Sequence, residues 1–337
     1  MGGTLYKPED LRQVRIDSAT SLVHLGSLDS FDKTPKGTQA AEKLVIALEE
    51  KNRTEQIAQA KDASKIYEQI IPSENFGGEY TTLQWFCDYL AASPDEQKKM
   101  LADPFVAHFF KVLADKDFAG LKDYIKYKYR LVERKTDGDT ERIQRYYEDL
   151  ILFNNPRRER WEQSSKMIAA LDIKPGQVIA DLGAGPGYFT FKFANLVGPS
   201  GKVYAMDNNN LHFEYQKHLI DSLKITNVKS IPSPGKGLGL PEGEKLDMAF
   251  LCSLYHVIYC GWVEDEKQNF MVNLRQSLKP DGRLVIVDNG LVADKRLPYH
   301  GPYIAKEVVV AQLENAGFEL VKAYQFIPQR YRSEEHT

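Results

Sequence analysis

The stretch Val178–Thr190, VIADLGAGPGYFT, constrains the fold more than any other part of the chain. An apolar run of strand character ends in Asp181, and Gly183, Gly185 and Gly187 then stand at alternate positions. A strand that passes through a glycine-rich turn into a helix opens a doubly wound α/β sheet, and such a turn holds nucleotide-type cofactors. The dinucleotide fingerprint G-x-G-x-x-G is broken here. Gly183 and Gly185 fill its first two glycine positions, but the third falls on Tyr188, and the extra glycine comes one place early at Gly187. The third glycine of that fingerprint lets helix and strand pack closely, so the pattern argues against a nicotinamide dinucleotide.

The residues around this turn show where the sheet begins and ends. After Asn155-Pro156, short β-branched runs (QVIADL, KVYAMD, VKSIPS, LDMAFL, GRLVIVD) alternate with amphipathic helical stretches. That alternation predicts a Rossmann-like, doubly wound, mostly parallel sheet over residues 151–337. RRERWEQSSKMIAALDI reads as one helix leading into it, and a further helix is expected from about Tyr303. The closing RYRSEEHT lacks the apolar alternation of a strand, so a shortened last strand is expected. Before the sheet, apolar residues recur three or four apart from Thr38 to about Asn154, with a break near Lys116-Asp117 and proline-led cap chemistry at Ser93-Pro94-Asp95-Glu96. Residues 1–150 are therefore expected to form an all-helical N-terminal domain, its first 35 or so residues loosely structured or docked elsewhere.

Composition excludes several classes. The 337-residue chain has a net charge of −3, so nothing global points to nucleic acid or a membrane surface. No apolar run is long enough to span a bilayer, and the polar start does not read as a signal peptide. Cys87, Cys252 and Cys260 are odd in number and irregularly spaced, which suits a reducing cytoplasm rather than a disulfide framework.

Asp181-Leu182-Gly183-Ala184-Gly185-Pro186-Gly187 reads D-x-G-x-G-x-G, and Asp207 ends the second strand about twenty residues on, where a cofactor's ribose hydroxyls are met. With LDMAFLCSLYH and LKPDGRLVIVD following in order, most of residues 155–327 resembles the class I S-adenosylmethionine-dependent methyltransferases, of the small-molecule type. The resemblance implies that fold and S-adenosylmethionine as cofactor. It also implies a binding set of Asp181, Gly183, Ala184, Gly185, Gly187, Asp207, Asn208 and Cys252. S-adenosylmethionine carries no phosphate, so glycines serve to let the backbone lie flat against its amino-acid and adenosine ends. Asp181 at the strand tip suits its ammonium group, directly or through water. One departure concerns adenine. Where many family members carry an acid after the third strand, this chain has Ser233, Pro234, Gly235 and Lys236.

Acceptor groups in such folds follow the fourth and fifth strands. After the fourth come Cys252-Ser253-Leu254-Tyr255-His256, which make His256 the candidate general base and Tyr255 a pocket-shaping neighbour. The alternative is that this pair caps the strand and packs the next helix. After the fifth come Asp288 and Asn289, then His300 and Tyr303, which either line the acceptor pocket or belong to a plain surface loop. No acid follows the fourth strand to match Asp288, so no metal is expected. CSLY is not the [N/D/S]-P-P-[Y/F] stretch of nucleic-acid amino methyltransferases. Cys252 and Cys260 read as small hydrophobes. KDYIKYKYR at Lys122–Arg130 interleaves bases and aromatics, yet Tyr124, Tyr127 and Leu131 share one helical face, the ordinary amphipathic pattern. Trp161 is a candidate to close over the cofactor, with core packing the other reading.

The expected activity is methyl transfer to a small-molecule acceptor, the helical domain covering or completing the acceptor side. The alternatives are a protein or RNA methyltransferase that docks its substrate on the helical domain, and a binding module that has lost catalysis. The acceptor atom and the oligomeric state are not readable from the sequence.

Overall fold

The computed structural model describes residues 23–24, 35–72, 77–133, 137–232, 238–289, 303–324 and 330–336. The chain divides into two compact units. The described residues from Pro35 to Ser165 make up one, and those from Lys166 onward, with Val23 and His24, the other.

The first unit is helical: α1 (Pro35–Glu49), α2 (Arg53–Ile70), α3 (Gly77–Ala91), α4 (Pro94–Met100), α5 (Pro104–Leu113), α6 (Asp115–Lys128), α7 (Gly138–Phe153) and α8 (Glu159–Glu162). Short polar side chains start several of them. Asn52, Asp103 and Asp137 accept from first-turn amides, and Ser93 and Glu96 close a reciprocal capping box. The break expected near Lys116 is present. Lys116, Asp117 and Phe118 take left-handed φ of 47°, 58° and 58°. Trp85, Phe86, Tyr89, Phe109, Phe110 and Phe118 pack edge-on and stacked around α3, α5 and α6. In KDYIKYKYR, Tyr124 is buried and the three lysines are paired with acids: Lys122 with Asp117, Lys126 with Glu49 and Lys128 with Glu148. The helix ends at Lys128, so Leu131 lies beyond the expected face, and the residues it buries are Leu121, Tyr124 and Ile125.

RRERWEQSSKMIAALDI is not one helix. Gln163 turns left-handed at φ 50°, separating α8 from α9 (Ser164–Ala170). Local hydrogen bonds favour the break. Glu159 accepts from Ser164 Oγ and Ser165 N, capping the new helix from the side. Arg158 pairs with Glu162 inside the helical unit, both side chains almost fully buried, and Arg158 also donates to Phe153 O. Trp161 packs here, its ring 5.9 Å from the Arg158 guanidinium carbon.

The second unit is the sheet: β1 (Val178–Leu182), α10 (Tyr188–Val197), β2 (Lys202–Asp207), α11 (Asn210–Leu223), β3 (Val228–Pro232), β4 (Leu246–Cys252), α12 (Tyr255–Gly261), α13 (Glu264–Ser277), β5 (Leu278–Asn289), α14 (Lys306–Asn315), β6 (Glu319–Tyr324) and β7 (Arg330–His336). The strand order is β3-β2-β1-β4-β5-β7-β6, with the first five parallel and β7 antiparallel to both neighbours. Alternation on each strand fills two cores. Ala180, Leu182, Tyr204, Met206, Ala249, Leu251, Leu284 and Ile286 face one side. Ile179, Val203, Met248, Phe250, Val285 and Val287 face the other. Both faces are covered, which is why the strands read as nearly continuous apolar runs.

One expectation is corrected at the C-terminal end. The last strand is not shortened: Arg330–His336 pairs along seven positions with β5 and is flanked on its other side by β6. A strand held by ladders on both edges is specified by its backbone pairing, so polar side chains do not forbid it. Tyr303–Ile304 is extended and pairs with Val23–His24, and the helix begins at Lys306.

Candidate active site

Strand order reverses at β1, with β2 on one side and β4 on the other, so the carboxyl ends of β1 and β4 mark the switch point where ligands bind in open α/β sheets. The glycine turn sits there. Gly183, Gly185 and Gly187 all have positive φ, at 69°, 55° and 95°, a region side chains rarely adopt. Gly183 N and Ala184 N donate to Met206 O, which ties the turn to β2. A Cβ on Gly183 would stand 3.0 Å from Leu254, whereas a Cβ on Gly185 would meet nothing within 4 Å among the described residues.

Asp181 is buried and accepts a 2.6 Å hydrogen bond from Thr190 Oγ1 in the first turn of α10. Asp207 ends β2 with 9% of its surface exposed. Its Oδ2 accepts from Gly185 N at 2.7 Å, and its Oδ1 accepts from the amides of Asn208 and Asn209 and faces His212 Nδ1 at 3.0 Å. Burial opposes its ionisation. The hydrogen bond and charge of His212, with the backbone donors, outweigh burial and hold the carboxyl below its ordinary pKa. Asn208 itself is exposed and contributes its amide to this carboxylate.

The ends of β4 and β5 form a second cluster. Cys252 is half-buried at the tip of β4. Ser253 turns left-handed at φ 58° while its amide donates to Val287 O at 2.8 Å. A non-glycine residue in this region costs on the order of 1–3 kcal/mol, and such strain concentrates at functional sites. The turn delivers His256 to the start of α12. His256 Nδ1 lies 2.6 Å from Asp288 Oδ1, and His256 N donates to Asp288 Oδ2 at 2.9 Å. Asn289 N donates to the same carboxylate at 2.7 Å. Asp288 is 1% exposed. Burial opposes its charge, but His256 and the backbone donors prevail and lower its pKa. His256 is itself buried, 7% exposed, with its Nδ1 turned to Asp288.

Tyr255 has a different place from its expected one. It is 1% exposed, packs in the core of the sheet and donates its hydroxyl to Gln312 on α14. The interior takes it because an aromatic ring with a satisfied hydroxyl buries well. Ser233, Pro234, Gly235, Lys236 and His300 lie outside the described residues, as do the side chains of Cys260 and Tyr303. Trp161 belongs to the helical unit. Thr190, His212, Gln216, Ser253 and the role of Asp288 were not singled out by sequence reasoning.

A family profile described as a methyltransferase domain matches residues 173–323, a span that holds the glycine turn, both acids and the His256–Asp288 pair. The chain carries a class I S-adenosylmethionine-dependent methyltransferase domain. This methyltransferase domain is 32% identical over 116 residues to the ubiquinone/menaquinone biosynthesis C-methyltransferase UbiE of Vibrio cholerae serotype O1, covering 34% of this chain and 42% of that protein. It is 29% identical over 121 residues to the protein-L-isoaspartate O-methyltransferase of Aeropyrum pernix, covering 36% of this chain and 42% of that one. The match thus spans less than half the length of these curated relatives. Among solved structures, an S-adenosylmethionine-dependent methyltransferase from Aquifex aeolicus aligns at 22% identity with a TM-score of 0.49, over 60% of this chain and 98% of that chain.

Proposed function

We propose that this methyltransferase acts on a small-molecule acceptor whose nucleophile gives up a proton to His256. The observation that carries the proposal is the 2.6 Å contact between His256 Nδ1 and Asp288 Oδ1 at the ends of adjacent parallel strands. Bound S-adenosylmethionine supplies a methyl group on a sulfonium with a good leaving group. The chain's own work is then alignment and proton removal. Gly183, Ala184, Gly185 and Gly187 form the bed for the cofactor. Asp181 faces its ammonium end and Asp207 its ribose. Asp288 keeps the His256 proton on Nδ1 and steadies the imidazolium once Nε2 has taken the acceptor's proton, the part an aspartate plays behind a catalytic histidine. Tyr255 serves by anchoring α12 to Gln312, which fixes the backbone that carries His256.

The relatives named for ubiquinone and menaquinone biosynthesis support a small acceptor. The relative named for protein L-isoaspartate makes a macromolecular acceptor the competing outcome. A screen with methyl-labelled S-adenosylmethionine separates them. Label transferred to a component of a low-molecular-weight metabolite extract supports the proposal. Label found only in protein or RNA, or no transfer by a chain that binds the cofactor, contradicts it.

A further inference from the structure

At the end of the sheet opposite His256 and Asp288, beside the amino ends of β4 and β5, lies an open cleft of about 460 Å³. The carboxyl ends of α13 and α14 flank it. Lys245, Arg275 and Lys279 line it, and among the described residues no acid does. Its apolar lining comes from Val272, Leu278, Pro280 and Ala316. The volume is that of a small-molecule site, and every lining residue belongs to the sheet unit.

The three bases are not equally available. Lys279 Nζ stands 2.8 Å from both oxygens of Asp247, so its charge is met. Lys245 Nζ donates to Gln276 O in the last turn of α13 and is held there. Arg275 pairs with no acid among the described residues. Its guanidinium lies against Gly317, where the chain turns left-handed at φ 86° after α14. A Cβ on Gly317 would stand 2.7 Å from Arg275 Nη1, so the glycine leaves the guanidinium its place beside Ala316.

The cleft thus offers one uncompensated cation over an apolar wall. The last carbonyls of two helices also point toward it, and their partial negative charge opposes a ligand that carries two or more negative charges. A guanidinium presents paired N–H donors that fit a planar carboxylate. The wall, in which Val272 is 45% exposed, gains only from a ligand that brings apolar surface to cover it.

We propose that this cleft is a binding site for a monocarboxylate with an apolar tail, the carboxylate on Arg275 and the tail on Val272, Leu278 and Ala316. It is separate from the cofactor and acceptor groups, which lie at the carboxyl ends of the strands. Octanoate is the probe. It is titrated into isotope-labelled chain saturated with S-adenosylhomocysteine and followed by nuclear magnetic resonance at the amides of Val272, Gln276, Leu278, Lys279 and Ala316. These amides are expected to shift saturably, with half-saturation below about 1 mM. Acetate lacks the tail and octylamine has the wrong charge, and each is expected to bind at least about tenfold more weakly. Octyl phosphate, with its second charge, is expected to bind no tighter than octanoate. Arg275→Gln and Val272→Asp change exposed positions, and each is expected to weaken octanoate at least about tenfold. S-adenosylhomocysteine affinity is expected to be unchanged in both variants, which shows the fold intact. Absence of a saturable shift at these amides overturns the proposal. So does octanoate that binds Arg275→Gln as tightly as wild type, acetate that binds as well as octanoate, or octyl phosphate that binds tighter. Displacement of S-adenosylhomocysteine by octanoate places the probe at the other end of the sheet and overturns it as well.

Discussion

Leu254 lies against Gly183, so close that a Cβ on the glycine would stand 3.0 Å from Leu254 Cδ2. The contact joins the tip of β1 to the residue just past β4, and it depends on the left-handed turn at Ser253. Gly183 must therefore stay a glycine on two counts, its φ of 69° and this contact. Gly183→Ala is expected to destabilise the domain by about 1–3 kcal/mol and to weaken S-adenosylhomocysteine binding with it. Urea unfolding and calorimetry check this. A variant with wild-type stability and affinity would show that the turn has room to give.

Thr190 stands behind Asp181 in the same way. Its hydroxyl is a donor to a buried carboxylate at 2.6 Å. Thr190→Val keeps the shape and removes the donor, with an expected cost of about 1–3 kcal/mol in unfolding free energy. Thr190→Ser is expected to recover most of that. Equal losses for the two variants would assign the effect to packing rather than to the hydrogen bond.

Asp207 and Asp288 both have folded-state pKa values below the ordinary carboxylate range, despite burial that pushes the other way. A carboxyl lowered on folding adds stability above its unfolded pKa, and that stability is lost as pH falls through the folded value. Unfolding free energy is therefore expected to fall as pH drops below about 4, and Asp288→Asn is expected to flatten part of that slope. A variant whose acid limb parallels the wild type would contradict the assignment.

In the helical unit, Arg158 and Glu162 form an almost fully buried ion pair. Removing one charge strands the other in a medium that solvates it poorly. Glu162→Gln is expected to cost about 3–5 kcal/mol in the stability of that unit, read as a lowered unfolding midpoint. A shift within experimental scatter would mean water reaches Arg158 once its partner is gone.

Much of this architecture was legible in the sequence because it is local. Strand-turn-helix periodicity located β1, the glycine turn and α10, and the acid at the end of β2 followed from spacing alone. His256 was legible as a titratable residue just past a strand. What stayed hidden depends on residues far apart in the chain. Asp288 follows His256 by 32 positions, and the two meet because β4 and β5 are parallel neighbours whose ends align. Their shared position at successive strand ends was the available signal. His212 and Gln216 fit an amphipathic helix pattern and gave no sign of polar work. Arg330–His336 was misread because its order comes from ladders on both sides and not from side-chain alternation.

The central claim is that His256, held by Asp288, takes the acceptor's proton during methyl transfer. The most direct measurement is single-turnover transfer of labelled methyl to the acceptor found by the screen, for wild type, His256→Ala and Asp288→Asn, with S-adenosylhomocysteine affinity measured on the same samples. The account predicts that both substitutions slow transfer by about 10²–10⁴ while cofactor affinity stays within about twofold of wild type. A fall of less than about threefold in both variants, with affinity intact, would show that alignment alone drives transfer and that the pair only packs the strand ends.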